Sequence, residues 1–285
     1  MKAFFLLPLL LTALSCTTRV GGTTGGKVPP VRVAGFTVQK DVIFTPAGWP
    51  QALPADVYVP DGPGPWPGIL MIHGGSWTGD ERRSDMAGLS EHLARRGYVV
   101  MNTTYRLAPE HPYPAQVEDL REATRWMVAN AGKLKLRKDR LGVFGYSAGG
   151  QLAAMMGALD APEWLRFKAV VAGGAPTDLR KFDRSPIVSV YLGGSLREKP
   201  ALYGQASPVT HISAGDPPVF LYHGSKDTLV PPDHASDYAA ALKKGGVPHE
   251  LIWQNGRGHI AAFVTYGDIV GPAMAFLDRW LRKEE

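Results

Sequence analysis

The stretch Arg140 to Gly150, RLGVFGYSAGG, constrains the fold of this chain more than any other segment. It reads as a short apolar strand, a G-Y-S-A-G turn and the start of a helix that continues through QLAAMMGAL. A tight strand-to-helix turn of this kind holds its central residue in strained backbone angles and lifts the side chain clear of the sheet. Larger residues at Gly145 and Gly149 would collide with the neighbouring strand and helix. The motif therefore predicts Ser147 as a nucleophile.

Short apolar runs alternate with amphipathic segments from Phe36 onward, which predicts an α/β fold with a mostly parallel central sheet and helices on both faces. Strands are expected at Thr37 to Phe44, Ala55 to Val59, Gly68 to Ile72, Tyr98 to Thr103, Leu141 to Phe144, Ala169 to Ala172, Val219 to His223 and His249 to Trp253. Helices are expected at Asp85 to Arg96, Ala115 to Ala129, Ala148 to Leu159, Asp233 to Lys244 and Pro272 to Arg282. The first two strands flank a Pro/Gly loop and should form an antiparallel edge hairpin.

The segment Thr177 to Ser213 is interrupted by Pro and Gly and fits no simple strand or helix. It is interpreted as a small insertion near the mouth of a site. Charged residues are scattered among its apolar ones, whereas a lipase lid needs a continuous apolar face. We therefore expect a wall that limits the size of the substrate, within a single catalytic domain over residues 36–285.

The composition is that of an ordinary globular protein, and it excludes several classes of partner. The net charge of +5 is spread along the chain with no basic block, so nucleic acid is not an expected partner. The single cysteine, Cys16, cannot form an internal disulfide or a thiolate metal site. No H-E-x-x-H or similar ligand spacing appears, so we do not expect metal-assisted hydrolysis.

The first sixteen residues have the layout of a secretory signal segment, with Lys2 followed by an apolar run from Ala3 to Leu14. The A-L-S-C sequence that ends at Cys16 resembles the lipobox of bacterial lipoproteins, in which the cysteine is lipidated. Lipidation at Cys16 would place the protein in the bacterial cell envelope, at the outer membrane or the periplasmic face. Plain export to the periplasm or the medium is the alternative. Residues 17–35 are rich in Gly, Thr and Pro and are expected to form a flexible linker.

An oxyanion hole is indicated by Gly68 to Trp77, GILMIHGGSW, an apolar strand that ends in His-Gly-Gly. Consecutive glycines let backbone N–H groups approach a ligand closely. The preferred donors are the N–H groups of Gly75 and Ser76, together with that of Ala148 at the start of the helix after the nucleophile. His73 ends the strand and is interpreted as a structural residue rather than a base.

A serine hydroxyl needs a base, and the chain has eight histidines. His259 follows the last strand in a glycine-containing loop, QNGRGHIAAF, that can reach the tight turn at Ser147, called the nucleophile elbow. Asp227 lies in the loop after the preceding strand and can orient the imidazole. His234 is assigned to a surface helix. The order Ser147, Asp227, His259 differs from the order of the triad in other serine hydrolase folds.

The segments HGGSW, YRLAPEHPYPAQVED, GYSAGG, SPVTHISAGDPPVFLYHGSKDTLVP and GRGH resemble the α/β-hydrolase esterases of the hormone-sensitive-lipase-like and bacterial feruloyl-esterase-like kind. The resemblance implies an α/β-hydrolase fold, carboxylic ester hydrolysis through an acyl-enzyme, no cofactor, and a triad at Ser147, Asp227 and His259. Many relatives carry a third glycine where Ser76 stands, which leaves the choice of oxyanion donors open.

The expected activity is that of a serine esterase acting on small-molecule esters with short or compact aromatic acyl groups, acylated sugars among them. An amidase or formamidase of the same fold is an alternative within enzymes. A non-catalytic ligand-binding protein of this fold is the alternative outside them. The only membrane contact expected is through the lipid anchor, and the sequence does not indicate an oligomeric state.

Overall fold

A computed structural model of the chain describes residues 17–22 and 30–282. In these ranges the chain forms nine strands and nine α-helices, joined by loops and short 3₁₀ turns. The strands are β1 (Thr17–Val20), β2 (Phe36–Ile43), β3 (Pro54–Pro60), β4 (Trp66–Ile72), β5 (Val99–Thr103), β6 (Leu136–Tyr146), β7 (Ala169–Gly173), β8 (Val219–Gly224) and β9 (His249–Gln254). The helices are α1 (Ala87–Arg95), α2 (Ala115–Ala129), α3 (Ala131–Leu134), α4 (Ala148–Ala158), α5 (Pro186–Leu192), α6 (Pro200–Gln205), α7 (Asp233–Lys244), α8 (His259–Val264) and α9 (Gly267–Leu281).

All nine strands belong to one sheet in the order β1-β9-β8-β7-β6-β4-β5-β3-β2. The six strands from β9 to β5 in this order are parallel to one another. β3 and β2 continue the sheet antiparallel at one edge, as the expected hairpin. β1 pairs antiparallel with β9 at the other edge. The predicted α/β architecture is confirmed.

The sheet is covered on both faces. Successive side chains of a strand point to opposite faces, so those of the central strands alternate between two hydrophobic clusters. In β6, for example, Val143 packs into one cluster and Phe144 into the other. The first cluster includes side chains of α2, α4 and α7, and the second includes side chains of α1 and α9. Loops at the carboxyl ends of the parallel strands therefore meet at one edge of a rigid core.

Two sequence predictions about loop segments need correction. Residues 17–20, expected to be part of a flexible linker, form β1, since their backbone completes the ladder of β9. The Thr177 to Ser213 segment contains α5 and α6 rather than irregular structure. Ser185 caps α5 by accepting a hydrogen bond from the Val188 N–H, and Gly193 ends it at φ +66°.

The last helix begins earlier than predicted. The sequence predicts Pro272 as its first residue, whereas α9 starts at Gly267 and carries Pro272 in its interior. The additional first turn includes Asp268, whose carboxylate pairs with Arg257 at 2.7 Å. This ion pair ties α9 to the loop that precedes α8. None of the helices within residues 17–22 and 30–282 combines the length and apolar character needed to cross a bilayer.

Candidate active site

Ser147 lies in the tight turn between β6 and α4, with φ +56° and ψ −123°. This is a rare conformation for a residue with a side chain, and the fold enforces it by packing on both sides. A Cβ atom at Gly145 would lie 2.0 Å from the carbonyl oxygen of Gly149, and one at Gly149 would lie 2.3 Å from that of Ile72. The Ser147 N–H also donates to the carbonyl of Gly173 at 2.8 Å. The elbow geometry inferred from the motif is present.

The structure brings Ser147, His259 and Asp227 together from three separate loops. The Nε2 atom of His259 lies 2.8 Å from Oγ of Ser147, and its Nδ1 atom lies 2.6 Å from Oδ2 of Asp227. His259 and Asp227 are buried, and Ser147 is half-buried. The imidazole is thus oriented so that Nδ1 donates to the carboxylate while Nε2 accepts the hydroxyl proton.

The carboxylate of Asp227 is held by backbone groups as well as by His259. Its Oδ1 atom accepts hydrogen bonds from the N–H groups of Leu229 at 3.0 Å and Val230 at 2.9 Å. Burial acts to raise the pKa of Asp227, but the hydrogen bonds from His259 and Val230 outweigh it and leave that pKa below its ordinary value. Asp227 is therefore an ionised acceptor at neutral pH.

A second histidine, His223, lies beneath the carboxylate at the end of β8. Its Nε2 atom lies 2.9 Å from the Val230 carbonyl oxygen and 3.4 Å from Oδ2 of Asp227. Burial lowers the pKa of His223, so the ring is neutral and its single N–H lies on Nε2, facing these oxygens. The sequence reasoning did not assign this contact, although His223 stands only four residues before Asp227.

Tyr146 contacts His259 from the other side. Its hydroxyl donates to the His259 carbonyl oxygen at 2.7 Å, and its ring lies 4.9 Å from that of Phe263 in α8. This residue is the variable position before the serine in the G-Y-S-A-G motif. The residue next to the nucleophile thus fixes the start of the helix that carries the base.

The proposed oxyanion loop follows β4. Gly75, Ser76 and Trp77 have φ values of +107°, +60° and +60°. The loop is closed by a Thr78 N–H bond to the Gly75 carbonyl at 3.2 Å, and Trp77 is anchored by its Nε1 bond to Gln151 in α4 at 3.0 Å. No residue of the described chain accepts a hydrogen bond from the backbone N–H of Gly75, Ser76 or Ala148. These three N–H groups are therefore the candidate donors to an oxyanion.

A small cavity of about 50 Å³ opens beside Ser147. Its walls come from the oxyanion loop, from the elbow, from the loop after β8 and from the Thr177 to Ser213 segment. They are formed by Ser76, Trp77, Ser147, Ala148, Pro176, Phe182, Ser185, Ile187, Val188, Leu229 and Val230. The insertion therefore lies at the mouth of the site, as expected. A space of this size favours a compact group over a long chain.

The remaining histidines of interest are structural. His73 is fully buried, stacks on Tyr105 with ring centroids 4.5 Å apart, and lies with Nδ1 2.6 Å from the Gly74 carbonyl. His234, expected on a helix surface, is instead buried and stacks on Phe182, one of the cavity-lining residues, at 4.8 Å. Its helix α7 turns that side chain inward, which the predicted helix alone did not indicate.

Cys16 lies outside the described residues. Among those residues, no group of three His, Cys, Asp or Glu side chains is placed to hold a metal ion. The chemistry that the site can support is nucleophilic attack by Ser147, assisted by His259 and Asp227.

The BD-FAE family model matches residues 55–242, which is more than half of the chain. The chain belongs to the BD-FAE family. The resemblance drawn from the sequence motifs is thereby confirmed. The matched segment of this BD-FAE protein contains the oxyanion loop, Ser147 and Asp227.

Individual proteins similar to this BD-FAE chain agree with that assignment. The probable carboxylic ester hydrolase LipM of Mycobacterium tuberculosis is 31% identical over 62% of this chain and 45% of its own length. The chain spans about half the length of the first curated relatives that it matches. A truncated carbohydrate esterase from gut microbiota superposes with a TM-score of 0.79 at 23% identity, over 89% of this chain and 99% of its own, and shows the same fold.

A thermophilic esterase from the Planctomycetes species Thermogutta terrifontis, solved with butyrate bound, is 26% identical. It superposes with a TM-score of 0.72 over 88% of this chain and 97% of its own. The same esterase has been solved phosphorylated by paraoxon, at 25% identity to this chain.

Proposed function

We propose that this protein is a carboxylic ester hydrolase that acts through an acyl-enzyme on esters with short acyl groups. The observation that carries the proposal is the continuous hydrogen-bond relay from Asp227 through His259 to Ser147 at the wall of a small cavity. Membership of the BD-FAE family and the esterases among its relatives support it.

Acylation begins when the Ser147 hydroxyl oxygen attacks the ester carbonyl carbon and its proton moves to Nε2 of His259. Negative charge then develops on the former carbonyl oxygen, where the N–H groups of Gly75, Ser76 and Ala148 stabilise it. Asp227 stabilises the imidazolium and holds its tautomer. Collapse of the tetrahedral intermediate breaks the bond to the alcohol, which leaves with the proton from Nε2.

Deacylation repeats these steps with water as the nucleophile. His259 takes a proton from water, the hydroxyl attacks the acyl carbon, and Ser147 leaves with the proton returned from Nε2. The products are the carboxylic acid and a free enzyme.

The size of the acyl group follows from the cavity. Trp77 is stacked on Tyr191 at 4.2 Å and held by Gln151, so it cannot swing aside to lengthen the space. Val188 of α5 is buried against the same cavity. A long acyl chain would displace the ester from the attack geometry, and small displacements cost large factors in rate. Acetyl to butyryl groups, on soluble alcohols such as sugars, are the proposed substrates.

The test is a series of nitrophenyl esters from acetate to palmitate. We expect kcat/KM to fall steeply beyond butyrate, and we expect Val188→Ala to move the optimum toward longer chains because it removes two methyl groups from the wall. Ile187→Ala, at a partly exposed lining residue, is the matched control and should shift the optimum less. A maximum at ten carbons or more in the unsubstituted protein would overturn the short-acyl proposal. Faster release of nitroaniline from nitroacetanilide than of nitrophenol from nitrophenyl acetate would favour the amidase alternative.

The acyl-enzyme itself is tested with paraoxon, which phosphorylates the Thermogutta esterase. Mass spectrometry of the treated protein should find one diethylphosphoryl group on the peptide that contains Ser147. Loss of esterase activity should follow the same time course. Inactivation with the group on another residue would contradict the assigned nucleophile.

We also propose that the protein is exported and acylated at Cys16, so that it is attached to the cell envelope. The apolar run from Ala3 to Leu14 and the A-L-S-C sequence support this. Metabolic labelling with a fatty-acid analogue in a bacterial host should label the native protein and not Cys16→Ser. A mature chain that is unlabelled and recovered only from the soluble periplasm would contradict it.

A further inference from the structure

The chain enters the described fold at the same edge of the sheet as the active site. β1 runs antiparallel to β9, with Thr17 opposite Gln254 and Val20 opposite Leu251. Gln254 is the carboxyl end of β9, five residues before His259. Residue 17 therefore lies at the carboxyl edge of the parallel strands, where the catalytic loops meet.

Helix α8, which begins with His259, lies beside this entry point. The Gln254 side chain donates from Nε2 to the Ala262 carbonyl in α8 at 3.1 Å. The neighbouring Asn255 donates from Nδ2 to Oγ1 of Thr18 at 2.9 Å. Two hydrogen-bonded contacts thus join β1, the end of β9 and α8 into one unit.

Exposed apolar side chains lie on α8 and on the loop after β8, and the same loop carries a cation. Ile260 and Val264, which share one face of α8, have exposed fractions of 66% and 62%. Leu229 in the loop after β8 is half-exposed and Lys226 in the same loop is exposed. The Lys226 N–H donates to the Arg257 carbonyl at 2.9 Å, which holds this loop against the segment before α8. We call Lys226, Leu229, Ile260 and Val264 the α8 patch.

We propose that the α8 patch rests on a lipid surface, so that the entrance of the active site faces the membrane to which the N-terminal segment attaches the protein. The sixteen residues before Thr17 contain the apolar run Ala3 to Leu14. Cys16 directly precedes Thr17, the residue at which the described chain enters the sheet. A lipid on Cys16 would therefore hold this edge at the bilayer with no intervening spacer.

The chemistry of the α8 patch suits a bilayer. Isoleucine, valine and leucine side chains enter the boundary between headgroups and acyl chains, and a lysine at the border attracts anionic headgroups. Leu229 also lines the cavity beside Ser147, so the patch is continuous with the site. The enzyme would then take its soluble esters from the water layer next to the membrane. This proposal rests on membrane attachment of residues 1–16 and is independent of ester hydrolysis.

The test uses the full chain, extracted from membranes of a bacterial host and reconstituted into vesicles of three parts phosphatidylethanolamine to one part phosphatidylglycerol. An environment-sensitive fluorophore is attached to the cysteine of Val264→Cys. Brominated acyl chains in the vesicles quench its fluorescence when it lies close to the lipid. The matched control is Trp164→Cys, which replaces an exposed apolar residue shortly before β7, at the opposite edge of the sheet. Signal from the unsubstituted chain, which reports any free Cys16 thiol, is subtracted.

We expect quenching at the Val264→Cys label to exceed that at the Trp164→Cys label by at least twofold. Equal quenching at both labels, stronger quenching at the control, or recovery of the chain outside the membrane fraction would each overturn the proposal. Hydrolysis of nitrophenyl acetate is measured on the same samples. Absence of turnover in every chain would defeat the proposed function while leaving the quenching comparison valid.

Discussion

The Nε2 atom of His223 lies 3.4 Å from Oδ2 of Asp227, the same carboxylate oxygen that receives Nδ1 of His259 at 2.6 Å. The His223 ring also donates to the Val230 carbonyl, and the Val230 N–H donates to the other oxygen of Asp227. His223 therefore fixes both the carboxylate and the loop that carries it. It acts through Asp227 and is a positioning residue.

Replacement of His223 should lower kcat without changing KM, because the substrate does not touch it. We expect a loss of about ten- to a hundredfold for His223→Phe, which keeps a ring but removes the N–H, since small misplacements of catalytic groups cost factors of this size. His223→Gln retains an amide donor and should recover part of the loss. Steady-state kinetics with nitrophenyl acetate, corrected for active sites titrated with paraoxon, make the measurement.

The matched control for this prediction is His249→Gln, at a half-buried histidine on β9 whose Nδ1 atom lies 3.0 Å from the Val247 carbonyl oxygen. It should leave kcat unchanged. Equal losses for His223→Phe and His223→Gln, or a change confined to the fraction of folded protein, would mean that the ring acts only in packing.

Substitution within the triad should lower kcat by about 10³-fold or more for each of Ser147→Ala, His259→Ala and Asp227→Asn. The losses should not add, because the three groups act as one unit. Circular dichroism should show that each variant is folded. Full activity in Asp227→Asn would show that the carboxylate has been assigned wrongly.

Ser76 adopts a φ of +60°, which glycine reaches without strain. We therefore expect Ser76→Gly to keep full activity, because it keeps the backbone N–H that faces the oxyanion. Ser76→Val should lower kcat, since a β-branched residue is strongly disfavoured at positive φ. The ratio of the two kcat values is the measurement. A loss in Ser76→Gly as large as that in Ser76→Val would mean that the serine hydroxyl takes part in the reaction.

The folded protein should lose stability in acid because burial of His234 disfavours its protonated form. Burial, with a smaller contribution from Lys181, lowers the pKa of His234 to about 4. The unfolded chain, with an ordinary histidine pKa near 6.5, binds this proton more readily than the folded chain does. The stability associated with neutral His234 is therefore fully present above about pH 6.5 and is lost progressively down to about pH 4. A shift of this size corresponds to about 3 kcal/mol.

His234→Gln removes this titration, and it should therefore reduce the difference in unfolding free energy between pH 7 and pH 4.5. Urea denaturation at the two pH values provides the comparison. His211→Gln, at a half-exposed histidine, is the control and should leave the difference unchanged. An unchanged difference in His234→Gln would show that His234 does not carry the acid sensitivity.

The parts of the fold that the sequence predicts well are those with local signals. The eight strands from β2 to β9 were found because apolar runs bounded by Gly and Pro are properties of a few consecutive residues. The proximity of Ser147, Asp227 and His259 is predictable because each follows a strand, and the carboxyl ends of parallel strands meet at one edge.

The parts that were missed depend on tertiary contacts. β1 has no apolar run of its own and exists because β9 offers an unpaired edge. The contacts of His223 with Asp227 and of Tyr146 with His259 join residues whose relative position is set by the whole sheet. Burial of His234 likewise depends on the rotation of α7 against the insertion, which helical periodicity alone does not specify.

β1 affects the tendency of the protein to aggregate. Without Thr17–Val20, the outer edge of β9 would present a row of unsatisfied N–H and C=O groups next to a buried strand, which is a template for pairing with another chain. β1 replaces that edge with one of only four residues, and a very short edge strand is a poorer template for pairing with another chain. A recombinant chain that starts at Phe36, the first residue of β2, would lose this protection.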